Sequence, residues 1–264
     1  MLSRYPYLLL IYLLLSFTGC QSQQRSTPEA GNNASTDSTR TDDPYIYKSG
    51  DPNGIGKWYM GRQIAHVMGY QGINWLERPE REKEEQTSKL LKNMNIQPGD
   101  TIADIGAGSG YHVFKMSPKL RSGEALKDNG QVYAVDIQEE MLQAMRKKKK
   151  ELGIANVTLI KGTEKSVQLP ANTIDKVLLV DVYHEFSFPK EIMQSIYTAL
   201  RPDGEVYLIE YRKEDAGIPI KTIHKMSEAQ AVKELTAAGF TLKENIGNLP
   251  WQHCMVFVKE ENYN

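Results

Sequence analysis

The stretch that most constrains the fold is Asp-Ile-Gly-Ala-Gly-Ser-Gly, residues 104–110, which we call the glycine loop. The apolar residues 101–105 are typical of a short buried strand, and residues 111–116 of the beginning of a helix. The three glycines let the backbone turn tightly and approach a ligand without intervening side chains. A strand, a glycine turn and a helix N-terminus in this order predict a site for a nucleotide-type ligand.

The spacing of the glycines separates two kinds of nucleotide site. The dinucleotide fingerprint requires G-x-G-x-x-G, whereas here the third glycine, Gly110, comes one residue early and Tyr111 follows it. An oxidoreductase that uses a nicotinamide cofactor is therefore disfavoured. The next predicted strand ends in Asp136, where a carboxylate can accept hydrogen bonds from both hydroxyls of a ribose.

Together with two later segments, these residues resemble class I S-adenosylmethionine (SAM) dependent methyltransferases. The segments are Val-Asp-Val-Tyr-His-Glu-Phe, residues 180–186, and Leu-Arg-Pro-Asp-Gly-Glu-Val-Tyr-Leu-Ile-Glu, residues 200–210. Both are similar to small-molecule methyltransferases of the quinone- and arsenite-methylating kind. The resemblance covers about residues 45–260 and implies methyl transfer to a small-molecule acceptor. It also implies a Rossmann-like, doubly wound α/β fold whose sheet has seven strands, the last antiparallel.

The resemblance assigns candidate residues for binding SAM. It implies that the glycine loop passes beneath the methionine and ribose, that Asp136 holds the ribose, and that Asp181 lies near the methionine amine. After the third strand the family usually has Gly-Asp-Ala, whereas this chain has Gly-Thr-Glu at residues 162–164. Either Glu164 contacts the adenine or the adenine is held less firmly. The candidate SAM-binding residues are Asp104, Gly106, Ala107, Gly108, Gly110, Asp136, Ile137, Thr163, Glu164 and Asp181.

The candidate catalytic residues are Tyr183 and His184, which follow Asp181 at the carboxyl end of the fourth strand. His184 can serve as a base if the acceptor must lose a proton, and Tyr183 can orient the acceptor. Alternatively, His184 only fixes the loop by hydrogen bonding.

The Asn/Asp-Pro-Pro-Tyr/Phe motif of DNA amino-methyltransferases is absent here, and the net charge is −1, so nucleic acid is disfavoured as a partner. We assign no metal site from the sequence.

The first twenty residues predict a bacterial lipoprotein signal peptide. The apolar run at residues 7–17 is shorter than the roughly 20 residues that a membrane-spanning helix needs. Phe-Thr-Gly-Cys at residues 17–20 resembles a lipoprotein processing box, which implies that Cys20 is lipidated. We therefore expect an exported protein that is anchored to a bacterial membrane and faces the periplasm, with the outer membrane favoured over the inner one. An ordinary secretory signal with an incidental cysteine is the alternative.

The rest of the chain divides into a tether, a cover and a SAM-binding domain. Residues 21–44 are polar and predict a disordered tether, and residues 97–264 predict the SAM-binding domain. Residues 45–96 predict helices that cover the acceptor site: an amphipathic helix over Lys57–Met68 and a long charged helix near Pro79. Three aromatic residues either anchor this cover or contact the acceptor: Trp58, Tyr59 and Trp75.

A second class of function remains open from the sequence. Because SAM is made in the cytoplasm, an exported domain of this fold could bind a ligand or partner without catalysing a reaction. Against this alternative stands the intact set of glycines and carboxylates in the predicted SAM site, which a purely structural domain does not need.

Overall fold

The computed structural model describes residues 43–121 and 130–261. The predicted signal peptide, Cys20 and nearly all of the predicted tether lie outside the described residues. Within the described ranges, no helix combines the length and the apolar character that crossing a bilayer requires.

Strands and helices alternate along most of the described chain. The strands are β1 (Tyr45–Tyr47), β2 (Gly54–Tyr59), β3 (Arg62–Ala65), β4 (Thr101–Ile105), β5 (Gln131–Asp136), β6 (Val157–Lys161), β7 (Ile174–Val180), β8 (Leu200–Tyr211), β9 (Phe240–Asn245) and β10 (Gln252–Lys259). The helices are α1 (Ile73–Leu76), α2 (Arg81–Glu85), α3 (Thr87–Asn93), α4 (Val113–Met116), α5 (Glu139–Glu151), α6 (Pro189–Ala199) and α7 (Glu228–Thr236).

Seven of these strands form one sheet in the order β6-β5-β4-β7-β8-β10-β9. The first five strands in this order, β6, β5, β4, β7 and β8, are parallel to one another, while β10 is antiparallel to both β8 and β9. The predicted α/β sheet with an antiparallel last strand is therefore confirmed. The winding direction switches between β4 and β7, and open sheets bind ligands beyond the carboxyl ends of the strands at such a point.

The central strand β7 is covered on both faces, as its near-continuous apolar sequence predicts. Val177 and Leu179 pack into the hydrophobic cluster on one side of the sheet, and Leu178 into the cluster on the other. All three side chains are fully buried. This packing fixes the position of the carboxyl end of the strand and therefore of the residues that follow it.

The helices of the SAM-binding domain begin close to where the sequence predicts. Pro189 occupies the first turn of α6, where its missing N–H leaves no intrahelical bond unmade. Ser227 caps α7, because its side-chain oxygen accepts a hydrogen bond from the backbone N–H of Gln230 at 3.2 Å. These local features agree with the tertiary packing.

The predicted helix over Lys57–Met68 is wrong, because this segment contains part of an antiparallel sheet formed by β1, β2 and β3. Met60 and Gly61 connect β2 to β3, with φ angles of 49° and 98°. Two successive residues with positive φ are the mark of a tight hairpin turn and cannot belong to a helix. Tyr59 is buried against Tyr45, with ring centroids 5.4 Å apart, so it anchors this sheet.

The predicted long charged helix is two short helices instead, α2 and α3. Gln86 has φ 51° and ψ 54°, a left-handed conformation that separates α2 from α3. Three apolar residues near the end of the segment are buried: Leu90, Leu91 and Met94.

A buried ion pair fixes β3 to the SAM-binding domain. The guanidinium of Arg62 donates two hydrogen bonds to the carboxylate of Glu234 in α7, with N–O distances of 2.8 and 2.9 Å. Its third nitrogen donates to the backbone carbonyl of His184 at 3.1 Å. Glu234 also accepts bonds from the hydroxyl of Tyr183 and the amide of Gln230. Three separate parts of the chain therefore meet at one satisfied polar network.

Candidate active site

A cavity of about 640 Å³ lies beyond the carboxyl ends of β4, β5 and β7. Its walls come from the glycine loop, the segments that follow β5, β6 and β7, the N-terminal residues 66–85, and the segment 219–224 after β8. Ligand pockets for small molecules have volumes in this range. The cavity therefore has the size and the position of a ligand site in an open α/β sheet.

The glycine loop has the backbone shape that its sequence predicts. Gly106, Gly108 and Gly110 have φ angles of 72°, 56° and 80°. Gly106 and Gly108 line the cavity. A Cβ atom on Gly108 would come within 2.7 Å of Leu76 Cδ1 on the opposite wall. Ala107 and Gly110 support the turn from behind, since the Gly110 N–H donates to the Ala107 carbonyl at 2.9 Å.

Asp136 holds the glycine loop against the end of β5. One carboxylate oxygen accepts a hydrogen bond from the backbone N–H of Gly108 at 2.8 Å, and the other from that of Gln138 at 2.8 Å. Burial raises the pKa of this carboxyl, although the backbone donors oppose the shift. Each oxygen keeps further acceptor capacity, and the residue lines the cavity.

Two other predicted carboxyls carry oxygens that have no hydrogen-bond partner among the described residues. Asp104 is buried behind the loop, and burial raises its pKa to about 7 while Arg81 opposes the shift. Asp181 lines the cavity, and its free oxygen is Oδ1, because Oδ2 accepts from Gln252 at 2.7 Å. Burial and the neighbouring Glu85 raise the pKa of Asp181. Unpartnered buried carboxylate oxygens fit a cationic ligand such as SAM.

The residues predicted for the adenine side also reach the cavity. Ile137, Thr163 and Glu164 all line it. The backbone N–H of Thr163 donates to the Ser166 carbonyl at 2.8 Å, which forms a tight turn after β6. A direct contact between Glu164 and adenine stays a prediction.

His184 also lines the cavity and lies in the 3-10 turn Tyr183–Glu185. Its Nδ1 is 2.6 Å from the carboxylate of Glu210, and its Nε2 is 3.1 Å from Nδ1 of His224. Burial disfavours the charged imidazolium, but Glu210 outweighs this effect and raises the pKa of His184. The Glu210 contact fixes the ring and directs Nε2 towards His224.

Tyr183 does not face the cavity, so its predicted role in orienting the acceptor is wrong. Its side chain is fully buried and its hydroxyl donates to Glu234 at 2.9 Å. Burial raises the pKa of the phenol well above its usual range. Neighbouring residues in a turn point in different directions, and of Tyr183 and His184 only His184 lines the cavity.

Several cavity residues were not predicted from the sequence. Arg81 and Glu85 face each other at 2.7 Å, and the hydroxyl of Tyr211 donates to Glu85 at 3.0 Å. In sequence, the arginine and glutamate are an ordinary i,i+4 charge pair of a surface helix. His224 also has no sequence signal, since it lies on a short turn far along the chain from its partner His184.

Comparison with known proteins agrees with this geometry. Residues 96–257 match the family model described as a methyltransferase domain. The uncharacterized methyltransferase YdaC of Bacillus subtilis is 29% identical over 150 residues, which cover 57% of this chain and 76% of that protein. A demethylmenaquinone methyltransferase of Geobacillus is 29% identical over 120 residues, 46% of this chain and 49% of the relative. The chain thus spans about half the length of the quinone methyltransferases that it matches.

A solved structure supports the same assignment. The SAM dependent methyltransferase from Aquifex aeolicus superposes with a TM-score of 0.65 and 26% identity, over 73% of this chain and all of that one. The strand order, the glycine loop and the unpartnered carboxylates are consistent with SAM as the cofactor of this fold. The chain therefore belongs to the methyltransferase domain family, as a SAM-dependent methyltransferase of class I.

Proposed function

We propose that this protein transfers the methyl group of SAM to a small-molecule acceptor, with quinol-type rings as the first class to test. The observation that carries the proposal is that one cavity contains both kinds of residue that methyl transfer needs. The glycine loop, Asp136 and Asp181 line it, and so do the imidazoles of His184 and His224 and apolar side chains such as Met68 and Ile220. An apolar ring with one nucleophilic atom is an acceptor that such residues can contact. The name of the demethylmenaquinone methyltransferases adds support to this class of acceptor.

The residues of the chain position the reactants and handle the proton. Bound SAM would supply a methyl group on a sulfonium, and the acceptor would attack that methyl carbon in line while the sulfur leaves with the electron pair of the carbon–sulfur bond. Asp136 and the glycine loop hold the adenosine side, which leaves the part of the cavity lined by His184 to the acceptor. Positioning of this kind accounts for much of the acceleration in bimolecular transfers. His184 acts on the acceptor hydroxyl, with Glu210 holding its ring in one orientation.

A role in binding without turnover is less well supported. The similarity to the family model extends over residues 96–257, nearly all of the SAM-binding segment. Moreover, the cavity also contains His184, held by Glu210, which SAM binding alone does not require.

Paired substitutions of Asp136 and His184 separate cofactor binding from acceptor chemistry. Asp136→Ala should weaken SAM binding, since it removes the ribose acceptor and releases the Gly108 amide. His184→Ala should leave SAM affinity nearly unchanged and lower methyl transfer by roughly 10²-fold. Calorimetric titration with SAM and production of S-adenosylhomocysteine with soluble quinols measure the two effects. An equal loss of SAM binding in both variants would place His184 in the cofactor site instead.

We also propose that the chain is exported and anchored through a lipid at Cys20. The support is the Phe-Thr-Gly-Cys box at residues 17–20 after a short apolar run. Two or more acyl chains give stable anchoring, whereas one chain is marginal. Metabolic labelling with a fatty acid should mark the wild type and not Cys20→Ser. Recovery of an unlabelled wild-type protein in the soluble fraction would disprove the anchor.

A further inference from the structure

We propose that His184, Glu185 and His224 form a binding site for a divalent ion of the Zn²⁺ kind. These three residues, which we call the His–Glu–His cluster, each offer one ligand atom, and the three atoms lie within 4.8 Å of one another. All three residues line the cavity. The inference goes beyond methyl transfer, because binding an ion requires neither SAM nor an acceptor.

The distances within the cluster match a metal site. His184 Nε2 lies 3.1 Å from His224 Nδ1, and each of these nitrogens lies 3.8 Å from Glu185 Oε1. The point in the plane of these three atoms that is equidistant from them lies about 2.1 Å from each, which is the length of a Zn–N or Zn–O bond. Three protein ligands leave a fourth tetrahedral position, as in catalytic zinc sites. Two imidazoles and one carboxylate suit Zn²⁺ and related ions better than Mg²⁺ or Ca²⁺.

The residues around the cluster support the ligands in the way that metal sites require. His184 Nδ1 contacts Glu210 at 2.6 Å, and the carboxylate of Glu210 is fully buried. A carboxylate on the far nitrogen orients a metal-binding histidine and increases its basicity. The Glu185 carboxylate is held by the backbone N–H of Met68, which donates to Oε1 at 3.2 Å. The carboxylate of Glu210 and the backbone N–H of Met68 thus hold His184 and Glu185 in place, so that their ligand atoms converge with that of His224.

A simpler reading of the cluster is a hydrogen bond between the two imidazoles. The separation of 3.1 Å allows it, with one nitrogen donating and the other accepting. Such a bond does not account for Glu185, which is buried and whose Oε1 is equally close to the buried ring of His184 and the half-buried ring of His224. The two interpretations can be distinguished by experiment, because only a metal site binds a divalent ion from solution.

A bound ion would change how His184 serves the acceptor, a consequence that rests on the proposed function. An acceptor hydroxyl that coordinated the ion would release its proton to solvent more readily. The oxygen would then attack the methyl carbon, and the carbon–sulfur bond would break with its electron pair left on sulfur. His184 would act through the ion rather than as a base.

Titration of the purified full chain with Co²⁺ and Zn²⁺, without SAM and with any affinity tag removed, tests the site directly. Wild type should bind one ion per chain, and Co²⁺ should show the visible absorption bands of a low-symmetry nitrogen and oxygen site. His224→Ala should lower the affinity by at least about 10-fold. Glu185→Gln, which changes the charge with little change in size, should lower it as well. Circular dichroism checks that each variant is folded.

The matched control is His66→Ala, because His66 lines the same cavity but lies outside the cluster. Its affinity for Co²⁺ should equal that of wild type. Failure of folded wild type to bind either ion would overturn the proposal in favour of the hydrogen-bonded pair. Undiminished binding in His224→Ala, or an equal loss in His66→Ala, would overturn it too. None of these outcomes depends on methyl transfer, so the metal site and the proposed function can fail separately.

Discussion

Gly108→Val is expected to abolish SAM binding, with no saturation at SAM concentrations up to about 1 mM. The physical reason is the width of the cavity at this point: a Cβ atom on residue 108 would already lie 2.7 Å from Leu76 Cδ1. A valine would fill the space that remains between the glycine loop and Leu76 of α1. Calorimetric titration with SAM measures the effect.

The control for this substitution is Gly153→Val. Gly153 has φ 63°, close to the 56° of Gly108, and a Cβ atom there would meet nothing within 4 Å. Both variants therefore carry a similar backbone strain, of about 1–2 kcal/mol, and only one fills the cavity. SAM binding in Gly153→Val should match that of wild type. Retained affinity in Gly108→Val would show that SAM does not lie against this loop.

Arg62→Met is expected to lower the free energy of unfolding by about 3–5 kcal/mol. The substitution removes the partner of Glu234, whose side chain is fully buried, and leaves its carboxylate uncompensated. It also removes the donor to the His184 carbonyl. Denaturant unfolding followed by circular dichroism measures the loss, and the N-terminal sheet should become sensitive to proteolysis at lower denaturant concentrations.

Two further variants test whether the loss of the buried ion pair itself causes this loss of stability. Lys147 and Glu151 form an exposed pair at 3.9 Å, so Lys147→Met should change the stability by less than about 0.5 kcal/mol. The double variant Arg62→Met with Glu234→Met should recover part of the loss, because no buried charge remains. If Arg62→Met costs no more than Lys147→Met, the ion pair does not fix the N-terminal sheet.

The SAM-binding segment was predictable because its sequence patterns and its tertiary structure agree. A buried parallel strand such as β7 has a near-continuous apolar sequence, and caps such as Ser227 mark helix ends locally. The glycine loop requires positive φ angles, which few residues other than glycine adopt readily. These features depend on neighbours in sequence, so they can be read without knowledge of distant contacts.

The N-terminal segment was not predictable in the same way. Apolar residues from Trp58 to Met68 recur at spacings that also fit a helix, and a short run cannot separate the two periods. The decisive signal was the turn at Met60-Gly61, which is less distinctive than Asn-Gly. The sheet is then held by Arg62, whose partner Glu234 lies far along the chain. Such a contact has no local sequence pattern.

The residues of the candidate site were likewise only partly predictable from the sequence. Residues of the motif, such as Asp136 and Asp181, reach the cavity as predicted. Tyr183 and His184 are adjacent in sequence, but the 3-10 turn directs one side chain into the core and the other to the cavity. His224 arrives from a separate turn and pairs with His184 only in the folded chain. The sequence therefore places the strand ends, while the fold decides which side chains converge.

The carboxyls buried around the glycine loop also bear on how SAM and its demethylated product compare as ligands. Burial raises the pKa values of Asp104, Asp136 and Asp181, because ionising a buried carboxyl without a compensating cation is costly. A positively charged ligand offsets that cost through Coulomb attraction. SAM and S-adenosylhomocysteine both carry a charged amine, but only SAM carries a sulfonium charge as well. We therefore expect these carboxyls to favour SAM over S-adenosylhomocysteine.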